Sequence, residues 1–283
     1  MTRAELGFLR CPRCRAALVL AGADRAGDID AGTIRCQRCT GSWPVRDGLP
    51  RLIDDAEVRG FEGLIRIVYD LISPFHDLAL EYLMPLVMFG SADAGRERYI
   101  ARLDLAPLVH VDGPVRVLDV GIGGGGNLPV IARQLPAGVP VEVWGVDYSM
   151  GMLWQCRRRL RRWTGNPVAV HLAVGDAHAL PFADGSFDRV VHSGGIGTYR
   201  DPSRALAEMV RVAKAGTPIV VVDEQLDRDA ARSWYQWAAF KAITIYDLSP
   251  HAPVEHLPPS VTDVRVEQAN SFFYCLSFRT PAA

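Results

Sequence analysis

The chain has 283 residues, 49% of them hydrophobic, and a formal net charge of −1 at pH 7. That length suits one large domain plus a small one, and the apolar content is ample for a buried core. A net charge near zero gives no global attraction to nucleic acid or to an anionic membrane, and no apolar run approaches the roughly 20 residues that cross a bilayer.

The first element is a pair of CxxC knuckles, Cys11-Pro12-Arg13-Cys14 and Cys36-Gln37-Arg38-Cys39. Two residues between cysteines let one tight turn aim both sulfurs at a single ion, and thiolates favour zinc, which accepts tetrahedral geometry without redox cost. The paired spacing follows the pattern of zinc sites. Two disulfides or a redox CxxC are the other uses of such cysteines, but a redox motif is expected once, at a helix start. Four cysteine ligands leave no open position, so Cys11, Cys14, Cys36 and Cys39 are expected to hold a structural zinc. Between the knuckles there is room for a hairpin carrying Leu18-Val19-Leu20 and Thr33-Ile34, and Trp43 to Ile53 reads as strand, Asp47-Gly48 turn, strand. The block Trp43-Pro44-Val45-Arg46-Asp47-Gly48-Leu49-Pro50 resembles the end of small zinc ribbons, some of which are fused in front of methyltransferase domains. Nothing before the first knuckle resembles an export signal, and the expected location is cytoplasmic. Cys156 and Cys275 read as ordinary reduced thiols.

Residues 1–54 are thus taken as a zinc ribbon and 55–112 as an apolar helical lid, with Ser73-Pro74 and Pro85 breaking the lid into at least three helices. From Val115 strands and helices alternate, the pattern of a mostly parallel sheet covered on both faces. The strands are expected at 115–120, 141–146, 168–173, 187–192 and 217–223, followed by an antiparallel hairpin of 261–268 and 271–279.

The first of these strands runs into Gly121-Ile122-Gly123-Gly124-Gly125-Gly126-Asn127. Gly121, Gly123 and Gly126 satisfy the dinucleotide fingerprint, which is weak alone because any tight strand-to-helix turn favours glycine. Asp119, two residues before the first glycine, is an awkward neighbour for a pyrophosphate and a good acceptor for an ammonium group. The second strand ends at Asp147, about 20 residues past the glycines, where an acidic residue holds ribose hydroxyls. The third leads into Gly175-Asp176-Ala177, where a carboxylate beside a small residue suits an adenine amino group. Ribose, adenine and an amino-acid ammonium together describe S-adenosyl-L-methionine.

Over residues 113–283 the chain resembles the class I methyltransferases. Val117-Leu118-Asp119-Val120-Gly121-Ile122-Gly123 is similar to their first motif, and Gly145-Val146-Asp147-Tyr148-Ser149-Met150-Gly151-Met152-Leu153 to their second. Gly175 to Asp188 is similar to G-D-A-x-x-L-P-F-x-D-x-S-F-D, and His192-Ser193 through Arg204 to Val212 completes the set. The resemblance implies an α/β, doubly wound, Rossmann-like methyltransferase fold of seven strands, the last two an antiparallel hairpin, preceded by the ribbon and the lid. It implies that Asp119, Gly121, Gly123, Gly125, Asn127, Asp147, Tyr148, Ser149, Met152, Asp176, Ala177 and Ser193 line the cofactor site. Ala215-Gly216-Thr217-Pro218 departs from the family's usual Lys-Pro-Gly-Gly, in a turn away from the cofactor.

Methyl transfer from a sulfonium needs an in-line nucleophile and a dry pocket more than elaborate acid–base groups. The catalytic candidates are His192, His76 and Tyr199, histidine being a suitable base near neutral pH. Tyr69, His76 and Tyr199 are candidates for contact with the acceptor. Tyr69-Asp70-Leu71-Ile72-Ser73-Pro74-Phe75-His76-Asp77 resembles the N-terminal region of quinone-pathway C-methyltransferases, and an apolar lid suits a hydrophobic small molecule, quinone-like or a secondary metabolite. The alternative is an rRNA or tRNA base methyltransferase whose ribbon recognises RNA. Bacterial 23S rRNA guanine-N1 methyltransferases carry a loosely similar zinc module, and the arginine-rich helix at 149–163 favours that reading, against the non-basic whole-chain charge.

Overall fold

The computed structural model describes residues 1–21, 27–54, 61–78, 92–110, 113–136, 138–227, 234–244 and 250–282. Helix α1 (Arg3–Phe8) opens the chain on a capping box of Thr2 and Glu5. Strands β1 (Leu18–Leu20) and β2 (Gly32–Cys36) pair antiparallel and bring the two knuckles together. Strands β3 (Ser42–Arg46) and β4 (Leu49–Leu52) are joined by Asp47 and Gly48, both at positive φ (50° and 70°), the backbone that a two-residue hairpin with right-handed twist requires.

The main sheet follows from β5 (Val115–Val120), β6 (Val141–Asp147), β7 (Ala169–Gly175), β8 (Arg189–Ser193), β9 (Pro218–Glu224), β10 (Thr262–Asn270) and β11 (Phe273–Arg279). Strands β7-β6-β5-β8-β9 are parallel, and the β10–β11 hairpin closes the edge antiparallel to β9. The expected strands are therefore present, β5 at its expected bounds and the others within two residues of theirs. Their order reverses between β5 and β8, so a crevice opens at the carboxyl ends of the strands, where α/β sheets bind ligands. The strands are apolar on both faces: Leu118, Val120 and Val146 belong to one buried cluster, Val117, Val143 and Val191 to the other.

The ribbon does not stand apart from this sheet. Strand β4 pairs parallel with β7, Arg51 opposite Val174 and Leu52 opposite Gly175, so one sheet of order β1-β2-β3-β4-β7-β6-β5-β8-β9-β11-β10 runs across residue 54. Phe8 stacks 4.6 Å from Trp144, Leu9 bridges Phe182, and the Arg10 N–H donates to the Pro181 carbonyl at 2.8 Å. Arg15 reaches Glu208 at 3.2 Å, and Glu5 pairs with His171 at 2.6 Å. Leu9, Ile34, Trp43 and Leu52 belong to the same buried cluster as Leu118 and Phe182, each side chain stabilising the joint by about 1.5–3 kcal/mol.

Because β4 is parallel to β7, it ends at the carboxyl edge of the sheet; the next described element is α2 (Phe61–Leu78). This helix corrects one expectation: it runs unbroken through Ser73-Pro74. Pro74 has no N–H for the Asp70 carbonyl, but the Ser73 hydroxyl donates to that carbonyl at 3.0 Å and replaces the missing bond. Pro85, the other expected break, lies outside the described residues. Helices α3 (Ala92–Ala101), α4 (Leu128–Gln134), α5 (Met150–Arg162), α6 (Pro202–Val212) and α7 (Trp234–Ile243) complete the layers.

Candidate active site

The turn after β5 places Gly121, Gly123 and Gly125 at φ of 70°, 53° and 77°, a region that side chains disfavour. Space adds a second demand at Gly125, where a Cβ would lie 2.8 Å from Cys156 Sγ and 2.9 Å from Leu128 Cδ1. The Gly121 N–H donates to the Val146 carbonyl at 2.7 Å and the Gly123 N–H to Asp147 Oδ2 at 2.9 Å. The loop is thereby tied to the end of β6. Asp147 is buried, and its other oxygen accepts from the Ser149 N–H at 2.8 Å.

Asp119 is fully buried beneath this loop. Asn127 Nδ2 donates to its Oδ2 at 3.2 Å, whereas Oδ1 has no hydrogen-bond partner among the described residues. Burial pushes its pKa up to about 7, opposed by the Asn127 bond and reinforced by the nearby Asp147 charge. Asn127 is the hub of the cluster: Nδ2 also donates to Ser193 Oγ at 3.0 Å, and Oδ1 accepts from the Tyr99 hydroxyl at 2.6 Å. A buried carboxylate oxygen without a donor is unstable as an anion and ready for a cation.

Asp176, at the end of β7, is the opposite case. Its Oδ1 accepts from the His178 N–H at 2.9 Å and meets His178 Nδ1 at 2.6 Å, and its Oδ2 pairs with Arg200 at 2.6 Å. Burial alone would raise this pKa, but the His178 and Arg200 contacts outweigh it and hold the group down at about 2. Ala177 is buried beside it. Ser149 caps α5, accepting from the Met152 N–H at 3.1 Å, and Met152 is buried with Cε 3.2 Å from where a Gly123 Cβ would stand. Tyr148, which follows Asp147 in the chain, is half-buried.

His192 is fully buried at the end of β8, against Gly121. Its Nδ1 contacts the Val120 carbonyl at 2.8 Å, so Nδ1 carries the hydrogen; Nε2 has no partner among the described residues. Burial lowers its pKa and keeps the ring neutral. The Tyr199 ring lies 5.4 Å from His192 and 5.2 Å from His178, and burial with the charge of Asp147 keeps its hydroxyl protonated. The fold thus brings His192 and Tyr199 together as an acceptor and a donor beside the glycine loop. The side chains of Tyr69 and His76 lie outside the described residues.

Three contributors lie outside the residues expected at the site. Asp223, at the end of β9, accepts from the Gly195 N–H at 3.0 Å and the Gly197 N–H at 2.9 Å, fixing the loop after β8. Tyr99 reaches Asn127 from α3, far earlier in the chain. Asp70 Oδ1 accepts from Ser149 Oγ at 2.5 Å and from the Gly151 N–H at 3.0 Å, pinning α2 to the amino end of α5, where a carboxylate is favoured. Gly151 permits this approach, since a Cβ there would lie 2.7 Å from Ser73 Oγ. The only sequence signal for any of them is Asp70, inside the lid motif.

A family model described as "Methyltransferase domain" matches residues 117–216. The chain is 33% identical over 159 residues to the demethylmenaquinone methyltransferase of Renibacterium salmoninarum, a match covering 56% of this chain and 58% of that relative. It is 30% identical over 182 residues to the demethylmenaquinone methyltransferase of Lactiplantibacillus plantarum, covering 63% of this chain and 70% of that one. The chain belongs to the class I S-adenosylmethionine-dependent methyltransferases. The fold agrees with that of a Haemonchus contortus phosphoethanolamine N-methyltransferase solved with S-adenosylmethionine, at a TM-score of 0.55 and 15% identity, covering 85% of this chain and 63% of that one.

The residues present fit the methyltransferase cofactor. Asp119 offers its unpartnered oxygen to an ammonium, the glycine loop leaves room for close backbone approach, and Asp147 and Asp176 place carboxylates at the ends of β6 and β7. What the cofactor supplies when bound is an electrophilic sulfonium methyl. The thiolates fit zinc equally well. All four Sγ atoms lie within 4.8 Å of one another, with Cys11–Cys39 at 3.6 Å and Cys14–Cys36 at 3.3 Å. Tetrahedral zinc with bonds of about 2.3 Å has sulfur–sulfur edges of about 3.8 Å. Backbone N–H groups of Arg38 and Cys39 donate to Cys36 Sγ at 3.3 Å, the arrangement that supports a thiolate. Cys156 and Cys275 are buried thiols that form no disulfide among the described residues.

Proposed function

We propose that this methyltransferase transfers its methyl group to a small, hydrophobic acceptor of the quinone type. The observation that carries the reading is the lid: α2, pinned by Asp70 beside Ser149 and Asp147, exposes Leu64, Ile67, Val68 and Leu71 at helical spacing from the carboxyl edge of the sheet. An apolar helix held at the mouth of the cofactor crevice suits an apolar acceptor. The two demethylmenaquinone methyltransferase relatives support the same substrate class. In this reading Tyr69, His76 and Tyr199 contact the acceptor, and His192 Nε2 takes the proton that leaves as the new bond to the methyl carbon forms. Residues 1–54, 55–112 and 113–283 act as ribbon, lid and cofactor-binding domain in a cytoplasmic enzyme. Among the described residues no helix is long and apolar enough to cross a membrane.

The second reading rests on Arg158, Arg161 and Arg162, exposed on α5 and suited to phosphates. Radiolabelled methyl transfer to a demethylated menaquinol in detergent and to total RNA, run side by side, separates the two. Labelled quinol and unlabelled RNA are expected; efficient RNA labelling that Arg158→Glu abolishes would overturn the proposal.

A further inference from the structure

An amino-acid end bears two charges on one carbon, and Asp119 accounts for only the ammonium. A carboxylate held so close to a buried aspartate is repelled unless a cation stands beside it. The candidate comes from α3. Arg96, half-buried, lays its guanidinium along the glycine loop: a Cβ on Gly126 would lie 3.0 Å from Nη2, 3.2 Å from Cζ and 3.3 Å from Nε. Gly126, unlike its neighbours 121, 123 and 125, has no positive φ. At Gly126 the guanidinium thus lies in contact with the loop, and the backbone itself makes no demand for glycine there.

The placement of Arg96 is built rather than incidental. Tyr99, one turn on, is buried, and the Arg96 guanidinium is near enough to favour the charged form of its hydroxyl. That hydroxyl bonds Asn127, which bonds Asp119, so a cation and an anion are joined through Tyr99 and Asn127 at one end of the site. The helix itself is fastened on both sides. Arg98 donates to the Ala269 carbonyl at 3.3 Å, and Glu97 pairs with Arg133 on α4 at 3.2 Å.

We propose that Arg96 is the carboxylate-binding residue of the cofactor site, forming with Asp119 a paired receptor for the zwitterionic amino-acid group. A guanidinium suits this task because its planar fork can hold both carboxylate oxygens at once. The assignment rests on the cofactor reading above.

Two nucleosides test it by calorimetry: S-adenosylhomocysteine, and 5′-methylthioadenosine, which lacks the amino-acid group. Arg96→Gln is expected to weaken S-adenosylhomocysteine about ten- to a hundredfold and to leave methylthioadenosine within about twofold, which also certifies that the variant folds. Arg96→Lys, keeping the charge without the fork, should fall between. Equal losses for both nucleosides would mean that Arg96 only props the loop, and an unchanged S-adenosylhomocysteine affinity would remove it from the site; either overturns the assignment alone. Wild-type protein that binds neither nucleoside would overturn the cofactor reading together with it.

Discussion

Two carboxylates at the same edge of one sheet are kept in opposite states. Asp119, under the glycine loop, has an unpartnered oxygen and a pKa pushed up to about 7. Asp176, two strands away, is saturated by His178 and Arg200 and held at about 2. The supports differ as well. The Asp176 end leans on the ribbon through Leu52–Gly175 pairing and the Arg10–Pro181 bond, whereas the Asp119 end leans on α3 through Tyr99. Both oxygens of Asp176 are satisfied within the chain, whereas one of Asp119 is not, and in the cofactor reading proposed above that oxygen receives the ligand's ammonium.

The comparison breaks most severely at the ribbon. A structural zinc site holds its module folded with an apparent binding energy of about 10–16 kcal/mol, so Cys36→Ser is expected to release β1–β4. Because β4 flanks β7, the loss should reach Asp176 and weaken methylthioadenosine binding by at least about tenfold. Metal analysis of the native protein should give one zinc per chain. Methylthioadenosine affinity unaffected by zinc loss would show that the two ends do not differ in this way.

Replacing Asp176 itself should act on stability. Its folded pKa is depressed from 3.8 to about 2, so the stability it contributes is present above pH 4 and lost as pH falls through about 2. Asp176→Asn should therefore lower unfolding stability by about 2 kcal/mol at pH 7, read by urea denaturation. An unchanged midpoint would mean that Arg200 and His178 find other partners.

The placement of the glycine loop, Asp147 and Asp176 was legible in sequence because motif and strand period agree there: each stands at the end of a buried apolar strand. The joint between ribbon and sheet was not. Leu49–Leu52 reads as the second strand of a hairpin, and nothing in four residues reveals that their free edge pairs with β7 some 120 positions later. Pro74 misled for a local reason, since the Ser73 hydroxyl that repairs the helix is a side-chain bond that propensity does not anticipate. Arg96 and Asp223 escaped notice because they reach the site from elements whose own patterns are only structural.

The effect of pH sharpens the contrast at the Asp119 end. Asp119 must be ionised to receive an ammonium, so S-adenosylhomocysteine affinity is expected to fall as pH drops below about 7, by up to about tenfold per unit. It should fall again above about pH 8, where an α-amino group loses its proton. Methylthioadenosine should show neither limb. The smallest expected effect lies in the lid: Ser73→Ala removes the bond that replaces the one missing at Pro74 and should lower stability by about 1 kcal/mol, with α2 losing amide protection first.

Asp119→Asn shows whether this buried carboxylate is left incomplete for the cofactor's ammonium. As a buried acid with a raised pKa, Asp119 weakens the ligand-free fold as pH rises from about 4 to about 7. The variant is therefore expected to melt higher than wild type at pH 8 without ligand, the gap closing below pH 4. Its calorimetric affinity for S-adenosylhomocysteine should fall by about a hundredfold while methylthioadenosine binds as before. A variant that binds S-adenosylhomocysteine like wild type, or that melts lower at pH 8, would contradict the account.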